Sequence, residues 1–169
     1  MSLTELYYNE GLYYNTFFND INGMTEAIVI LCDVTKHDMY IPETITINSE
    51  TYNVTAIAPC AFQNCINLET IVINAKIATI GEFAFQNCYN LKNITYNDTI
   101  TNTTIYKNFA FQNTYNLLSL SFNGKIIEIG SDCFQNSNNL IFTDEQINNN
   151  FNTTINLHSI LPQFKNINI

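Results

Sequence analysis

Four copies of one short phrase recur at nearly constant spacing along this 169-residue chain. The phrase is Ala-Phe-Gln-Asn at Ala61, Ala84 and Ala110, and Cys-Phe-Gln-Asn at Cys133. Successive copies begin 23, 26 and 23 residues apart (84−61, 110−84, 133−110), and each is followed by an Asn-Leu pair in the same register. A phrase repeated with a period in the low twenties is typical of a solenoid, in which similar coils stack on one another. The sequence therefore predicts a stack of about four coils.

Each period contains the pattern of a strand, a second extended segment and a turn. Residues 68–73 alternate between apolar and polar or β-branched side chains, which indicates a short strand with one buried face. A second apolar pair follows, Ile77 and Ile80 in the first full period, and the third copy has Thr103 and Tyr106 instead. The repeated phrase itself is long enough for one helical turn. One coil cannot bury its apolar side alone, but stacking places each apolar residue against its own copies.

Two columns of asparagine share the repeat register. The first contains Asn64, Asn87, Asn113 and Asn136, and the second contains Asn67, Asn90, Asn116 and Asn139. At the corner of a coil the backbone leaves the sheet, and its N–H and C=O groups need other partners. Because a side-chain amide both donates and accepts, we expect these columns to satisfy the corners rather than to bind a ligand.

The repeat pattern A-F-x-x-C-x-x-L-x-x-I-x-I, followed by I-x-x-I-G, resembles the BspA-type leucine-rich repeats from Val54 to Leu140. The chain departs from it at Thr114 and Ser137, which replace the cysteine, and at Lys107, which replaces the glycine. The resemblance implies a β-rich, right-handed leucine-rich-repeat solenoid with short helical turns and an N-terminal β-hairpin cap. It also implies a non-catalytic role in protein binding and cell adhesion at the cell surface.

The repeat divides the chain into three segments of one structural domain. We predict an N-terminal β-hairpin cap at 1–53, the solenoid at 54–142, and an irregular C-terminal coil or cap at 143–169. Within the cap, strands are expected at 12–17 and 26–32, and a polar loop at 33–38. The tyrosines of the cap either pack in it, which is the favoured interpretation, or form an aromatic ligand platform; they are Tyr7, Tyr8, Tyr13 and Tyr14.

Composition excludes several classes of partner. A formal net charge of −9 with only six Lys and Arg residues argues against nucleic acid and against an anionic membrane surface. The sequence has no transmembrane run and no signal-peptide core, so no direct membrane insertion is expected. The resemblance implies a secreted or cell-surface protein. A true start at Met1 would instead imply the cytoplasm, and a third alternative is a piece of a longer chain.

The cysteines and histidines form no recognisable reactive site. Five cysteines without C-x-x-C spacing predict neither a disulfide framework nor a zinc site, and we expect Cys65, Cys88 and Cys133 to be small buried residues. A Cys65–Cys88 bridge is the less favoured alternative, and Cys32 and Cys60 have no predicted role. No catalytic residue, cofactor or metal ligand is predicted, since neither histidine belongs to a catalytic or metal-binding motif.

The remaining candidate site is the row of outward positions on the repeated strands. It contains Thr70, Val72, Asn74, Asn93, Thr95, Asn97, Ser119, Ser121 and Asn123. This strip is small, polar, uncharged and without aromatic residues, so a plain solvated sheet face would look the same. The first hypothesis is an adhesion module that binds protein, such as a host-matrix or surface protein, or glycan. The alternatives are an intracellular assembly scaffold and an accessory domain of a larger secreted protein, and the end coils are expected to allow end-to-end self-association.

Overall fold

A computed structural model describes residues 6–96, 102–121 and 124–150 of the protein. These residues form strands and one short helix. The elements are β1 (Tyr7–Asn9), β2 (Leu12–Asn19), β3 (Met24–Cys32), β4 (Asp38–Ile41), β5 (Thr44–Ile47), β6 (Glu50–Ile57), β7 (Thr70–Ile73), β8 (Thr79–Ile80), β9 (Asn93–Tyr96), β10 (Asn102–Tyr106), β11 (Ser119–Leu120), β12 (Gly124–Ile129) and α1 (Asp144–Asn150).

The strands belong to two sheets that form two sides of the solenoid. The long sheet has the order β1-β2-β3-β6-β8-β10-β12, with β5 paired to β6, and the short sheet has the order β11-β9-β7-β4. Neighbours are parallel throughout the short sheet and from β3 onward in the main path of the long sheet. Parallel pairing follows from the coils, because the chain completes one whole coil before it returns to the same sheet. The predicted solenoid is confirmed.

The repeated phrase forms the third side of each coil. It is a run of hydrogen-bonded turns rather than an α-helix, as in the bonds from Gln63 N to Cys60 O (3.0 Å) and from Cys65 N to Phe62 O (3.1 Å). The phenylalanines of the four copies are fully buried and stack with ring centroids 4.8, 5.1 and 5.3 Å apart. Backbone bonds also join successive turns, for example from Phe85 N to Ala110 O (2.7 Å).

The two asparagine columns lie at the corners of the coils, as predicted. Their side-chain amides form hydrogen bonds there in two different ways. The first column, Asn64 to Asn136, has φ between 61° and 63°, a left-handed conformation that Asn tolerates better than most residues. Its amides bond to one another, as from Asn87 Nδ2 to Asn64 Oδ1 (2.8 Å). The second column bonds to backbone carbonyls of the preceding coil, as from Asn90 Nδ2 to Ile66 O (2.8 Å).

A third amide column, not predicted from the sequence, runs through the glutamines of the phrase. Gln63 Nε2 donates to Gln86 Oε1 (2.6 Å), and Gln86 and Gln112 donate in turn to the next glutamine. The glutamines donate toward the C-terminal end of the solenoid, whereas the asparagines of the first column donate toward its N-terminal end. Hydrogen bonds between side-chain amides therefore join successive coils in addition to the backbone hydrogen bonds between the turns.

The third coil departs from the others as its sequence suggests. A bulge between Thr104 and Ile105 breaks the register of β10 against β12, and Thr104 then pairs with Ile126. Thr104 is 8% exposed and its hydroxyl donates to Ile77 O (3.0 Å), so it fills the position that we predicted for Thr103. The extra residue of this bulge is Ile127 of β12, since Ile105 pairs with Glu128. Strand β10 has no extra residue, so its buried positions, Thr104 and Tyr106, are two residues apart instead of three.

The cysteine prediction is wrong in one respect. Cys65 is disulfide-bonded to Cys32 of the cap rather than free, and the alternative partner Cys88 is a free thiol. Cys88 and Cys133 are buried as expected, and Cys60 is exposed. The repeat gave no indication of the bond, because Cys32 lies outside it.

At the buried repeat position that disulfide-bonded Cys65 occupies in the first copy, Cys88, Thr114 and Ser137 each supply one hydrogen-bond donor in the later copies. Cys88 Sγ bonds to Phe62 O (2.9 Å), and the hydroxyls of Thr114 and Ser137 bond to Phe111 O (2.9 and 2.7 Å). The substitutions for cysteine at Thr114 and Ser137 therefore keep the contact with the turn.

The N-terminal segment caps the first coil with antiparallel strands. The predicted strands at 12–17 and 26–32 correspond to β2 and β3. Tyr14 is fully buried, whereas Tyr8 is 51% exposed and its ring contacts Tyr13 with centroids 4.9 Å apart. Asp38 begins β4 instead of ending a loop, and β4 pairs with β7, so the short sheet starts within the predicted cap segment.

Helix α1 lies against the last described strands. Thr143 and Gln146 form a capping box, with reciprocal bonds from Gln146 N to Thr143 Oγ1 (3.1 Å) and from Thr143 N to Gln146 Oε1 (2.9 Å). Gln146 Nε2 also donates to Leu120 O (3.2 Å), and Asn150 Nδ2 to Gly124 O (2.7 Å). With Ile147 buried, the helix covers carbonyl groups at the start of β12 and the end of β11.

Candidate functional site

The outer face of the short sheet presents columns of side chains in strict register. The first column runs through Asp38, Thr70, Asn93 and Ser119, which are partners in successive strands. The second begins with Tyr40 and continues through Val72 and Thr95. Parallel strands lie roughly 4.8 Å apart, so each column is a regular row of outward groups.

The structure places most of the predicted strip on this face. Thr70 and Val72 lie in β7, Asn93 and Thr95 in β9, and Ser119 in β11. Asn74 and Ser121 follow β7 and β11 directly and are partly buried. Asn97 and Asn123 lie outside the described residues.

Hydrogen bonds occupy part of the strip. Thr70 Oγ1 donates to Asp38 Oδ1 (2.5 Å), and Ser119 Oγ donates to Asn93 Oδ1 (2.8 Å). Just beyond the end of β11, the Ser121 hydroxyl accepts a hydrogen bond from the backbone N–H of Tyr96 in the neighbouring strand β9 (2.8 Å). Among the described residues of the strip, the side chains of Val72, Asn74 and Thr95 form no internal hydrogen bond, and Val72 and Thr95 lie within the strands themselves.

The structure adds two residues to this face that sequence reasoning missed. Asp38 and Tyr40 lie on β4, and Tyr40 is 43% exposed beside Val72. The alternation Asp38-Met39-Tyr40-Ile41 was a signal for this strand, since Met39 and Ile41 are buried. Tyrosine is enriched among the residues that contribute most to protein interfaces. The face is thus less uniformly small and polar than predicted.

A second exposed row borders the strip where each coil turns into its strand. It consists of Ile66, Tyr89 and Tyr115, which are 49%, 41% and 44% exposed and occupy one repeat position. The rings of Tyr89 and Tyr115 stack with centroids 5.6 Å apart. Leu118, which is 54% exposed, directly precedes β11 and lies between Tyr115 and Ser119 of the strip in the sequence.

A short line of charges separates the two rows at the first coils. Lys92 Nζ lies 2.5 Å from Glu69 Oε2, and His37 Nδ1 lies 3.8 Å from Glu69 Oε1. The hydrogen bond and the charge of Lys92 hold the pKa of Glu69 below its usual range. All three side chains are exposed enough for solvent to screen them, so this line contributes little to stability.

The described residues contain no reactive constellation. Within 6–96, 102–121 and 124–150, no group of three His, Cys, Asp or Glu residues is arranged to hold a metal ion. Burial raises the pKa of the Cys88 thiol to about 12, which keeps it protonated and unreactive. In the same part of the chain no helix has the length and apolarity needed to cross a membrane.

Coils with two parallel sheets, a turn on the third side and columns of buried Phe, Leu and Ile define a leucine-rich-repeat solenoid. The model of the BspA-type leucine-rich repeat region matches residues 38–159 with six copies, and the chain belongs to that family. The matched region begins at β4, the first strand of the short sheet. A comparison with curated proteins finds no match.

Solved structures share the fold. A leucine rich cell surface protein from Faecalibacterium prausnitzii A2-165 is 24% identical with a TM-score of 0.68, over 80% of this chain and 35% of that one. A leucine-rich repeat protein from Bacteroides capillosus ATCC 29799 is 19% identical with a TM-score of 0.61, over 81% and 95% of the two chains. Another, from Bacteroides ovatus ATCC 8483, is 28% identical with a TM-score of 0.59, over 77% and 33%. The chain thus spans about a third of the length of two of them.

Proposed function

We propose that this chain is a non-catalytic protein-binding module of a cell-surface protein, and that it binds its partner across the outer face of the short sheet. The observation that carries the proposal is the combination of Val72 and Thr95 with three exposed tyrosines: Tyr40 pairs with Val72, and Tyr89 and Tyr115 lie in the turns that precede β9 and β11. Tyr40, Val72 and Thr95 lie on three neighbouring strands of one sheet, so their side chains are held in fixed positions. Such a surface can be recognised without loss of backbone entropy.

Two further observations support a location outside the cell. The Cys32–Cys65 disulfide is of a kind that persists in oxidising compartments and is rare in the cytosol. The similar protein from Faecalibacterium prausnitzii is described as a cell surface protein. Both favour the adhesion hypothesis over an intracellular scaffold, while an accessory domain of a larger secreted protein stays a second candidate on the same observations.

A protein partner is favoured over a glycan by the arrangement of the aromatic rings. Tyr89 and Tyr115 stack on each other, so their facing sides are not free to stack on a sugar. Their exposed edges and hydroxyl groups, with Leu118 beside them, suit the apolar and hydrogen-bonding contacts of a protein interface. End-to-end pairing of solenoids stays a separate prediction.

Protease shaving of cells that express the native full-length protein tests the location, and a screen of surface and matrix proteins and glycans tests the ligand. The site is tested with the double variant Val72→Arg and Thr95→Arg, which places two long cations on the strip. The matched control is Lys125→Glu on exposed β12 of the other sheet. Loss of the captured partner with the strip variant alone supports the site. Equal capture by both variants, or protection from the protease until lysis, contradicts the proposal.

A further inference from the structure

A concave surface lies on the other sheet of the solenoid, between the end of the β2–β3 hairpin and the outer face of the long sheet. It consists of two adjoining cavities of about 320 and 330 Å³ that share Asn19, Glu26, Thr55 and Ala78. Most residues that line the first cavity carry polar or charged groups, and most that line the second are apolar. We call the two together the hairpin cleft. It shares no residue with the strip of the proposed function.

The polar half of the hairpin cleft is built around the carboxylate of Glu26. This side chain is only 6% exposed, and it accepts hydrogen bonds from Thr55 Oγ1 (2.6 Å), Asn22 Nδ2 (2.6 Å) and Asn19 Nδ2 (3.0 Å). Burial by itself raises the pKa of Glu26, but the three donors outweigh it and hold that pKa below its usual range. The group is therefore an anion at neutral pH, with no cation within 4 Å among the described residues.

The hydrogen bonds leave one position open on this carboxylate. Among the described residues, Oε2 accepts two donors, from Asn19 and Thr55, whereas Oε1 accepts one, from Asn22. A carboxylate oxygen has two lone pairs, so Oε1 retains one acceptor site. Buried charges in proteins are usually paired, because an unpaired one loses the solvation that water would provide.

The other charged groups of the polar half leave it net negative. Glu43 and Lys76 line the cavity and face each other at 3.8 Å, and both are about half exposed. With Glu26 the cavity contains two carboxylates and one ammonium group. A single positive charge on a ligand would therefore complement the site, and the carbonyl group of the exposed Asn53 amide adds a further acceptor in the same cavity.

The apolar half crosses several strands of the long sheet. Ala56, Thr79 and Ile105 are register partners in β6, β8 and β10. In β12 the cavity is lined by Ile127, the bulged residue next to Glu128, which is the register partner of Ile105. Phe17 and Ile21 of the hairpin supply the remaining apolar lining; Phe17 is partly buried and Ile21 is 97% exposed. Three steps between strands of roughly 4.8 Å give a trough about 14 Å long, which is the length of about four extended residues.

We propose that the hairpin cleft binds an extended peptide segment of a partner protein that carries a lysine. The lysine ammonium donates to Glu26 Oε1 in the polar half, and aliphatic side chains of the same segment pack on Ile105 and Ile127. An ammonium group suits the single open acceptor better than the two-pronged guanidinium of arginine. The trough extends across four strands, which is longer than a small amine would occupy, so the ligand is a segment rather than a single small molecule.

The test uses acetylated and amidated peptides with one Lys followed by Leu at a spacing of one to three residues in a Gly-Ser frame. Matched peptides contain norleucine in place of Lys, which keeps the side-chain length and removes the ammonium group. Binding is measured by titration calorimetry with the full chain, and the site by shifts of backbone amide signals in NMR spectra. We expect at least one Lys peptide to bind at least tenfold more tightly than its norleucine match, with shifts at the residues of the cleft.

Two variants separate the halves of the cleft. Glu26→Gln is expected to abolish the preference for Lys over norleucine. Since that side chain is buried and its loss can affect folding, Ile127→Ser, at a 42% exposed position, provides an independent test. Ile127→Ser is expected to weaken both peptides about equally and to leave the preference intact. Glu50→Gln, at an exposed carboxylate of β6 outside the cleft, is the control and should change neither quantity.

Three outcomes would overturn the proposal: equal affinity for Lys and norleucine peptides, a Lys preference that persists in Glu26→Gln, or shifts located on the short sheet. Butylamine that binds as tightly as the best peptide would identify a small-amine site and would equally refute a peptide ligand. Because the strip variant Val72→Arg with Thr95→Arg leaves the hairpin cleft intact, its behaviour in this assay distinguishes failure here from failure of the proposed function.

Discussion

At the scale of single residues, the phenylalanine of each phrase is the repeated apolar anchor of the solenoid. Phe62, Phe85, Phe111 and Phe134 are at most 1% exposed, and each stacks on the next. A residue in the middle of this column has a ring on both sides. Its removal therefore leaves a cavity that the neighbouring coils cannot close without loss of their own backbone bonds.

We expect Phe85→Ala and Phe111→Ala each to lower the free energy of unfolding by about 3–5 kcal/mol. Tyr115→Ala is the matched control at a stacked but 44% exposed ring, and should cost about 1 kcal/mol or less. Urea titrations followed by circular dichroism measure all three. Equal losses for the buried and exposed rings would contradict the assigned register.

The five cysteines should react in a fixed order. Cys60 is exposed and should be alkylated by iodoacetamide in the native protein. Cys88 and Cys133 are buried with raised pKa values and should react only after unfolding, and Cys32 and Cys65 only after reduction as well. Mass spectrometry of the intact protein counts the labels at each stage. Two or more labels on the native, unreduced chain would contradict the assignment, and Cys60→Ser should remove the first label.

At the scale of elements, the coils are joined by columns of side-chain amides as well as by the two sheets. Asn87 donates to Asn64 and accepts from Asn113, and it does so in a left-handed backbone conformation with φ of 62°. The residue type at this corner is thus selected twice, once by its backbone and once by its side chain. Glycine would meet the first requirement and glutamine only the second.

Asn87→Ala should lower the free energy of unfolding by about 2–4 kcal/mol, since it loses two hydrogen bonds and places Ala in a left-handed conformation. Asn87→Gly loses the same bonds without that strain. We therefore expect the Gly variant to be more stable than the Ala variant by about 1 kcal/mol. Thermal melts and urea titrations provide the measurement, and an Ala variant as stable as the Gly variant would refute the role of the backbone.

The β2–β3 hairpin is attached to the solenoid by Glu26, whose bond to Thr55 reaches from β3 to β6. Since the pKa of Glu26 is lowered in the folded protein, its contribution to stability is present above the unfolded pKa of about 4.3. That contribution is lost as the pH falls through the folded pKa.

We expect Glu26→Gln to cost roughly 1–3 kcal/mol at pH 7, because charged hydrogen bonds are lost. The difference from the unaltered protein should narrow as the pH is lowered from 5 to about 3. Urea titrations at several pH values measure it, with Glu50→Gln at an exposed hairpin position as the control. A difference that does not change with pH would show that the carboxylate is not ionised as the structure indicates.

At the scale of the whole molecule, stability arises from contacts between adjacent coils, so a coil can be removed if the register is kept. Deletion of residues 87–112 joins Gln86 to Asn113 and restores the phrase at the junction. We expect this variant to unfold in one cooperative transition. Its free energy of unfolding should fall less steeply with urea concentration, because a shorter chain exposes less surface when it unfolds. Deletion of residues 89–112 leaves two extra residues at the junction and breaks the register, so this second variant should not fold. If both deletion variants fold, the repeat register is not required for stability.

The sequence was sufficient for the repeated part of the fold and insufficient for the rest. The spacing of the phrase, the strand pattern and the asparagines of the coil corners recur in four copies, so the interpretation of one copy is checked by the others. The Cys32–Cys65 bond, strand β4 and the hairpin cleft occur once, and each depends on which cap residue meets which coil. Helix α1 also occurs once, but it has a local signal, because the spacing of Thr143 and Gln146 is that of a capping box. The strip could be predicted in part from the repeat. Tyr40 could not, because it lies on β4, which precedes the repeated phrases and reaches this face by pairing with β7.

The turn of each coil places the same side chains against the coil before and the coil after, through identical Phe stacks and amide columns. At the level of the gene, this makes the protein a tandem array whose units are interchangeable. Unequal crossing-over between two repeats adds or removes one unit without introducing a new core. The outward positions are under no such restraint, so duplicated units can diverge there first. A lineage of such proteins can therefore lengthen or change its recognition surface by copying, before any single residue has to be improved.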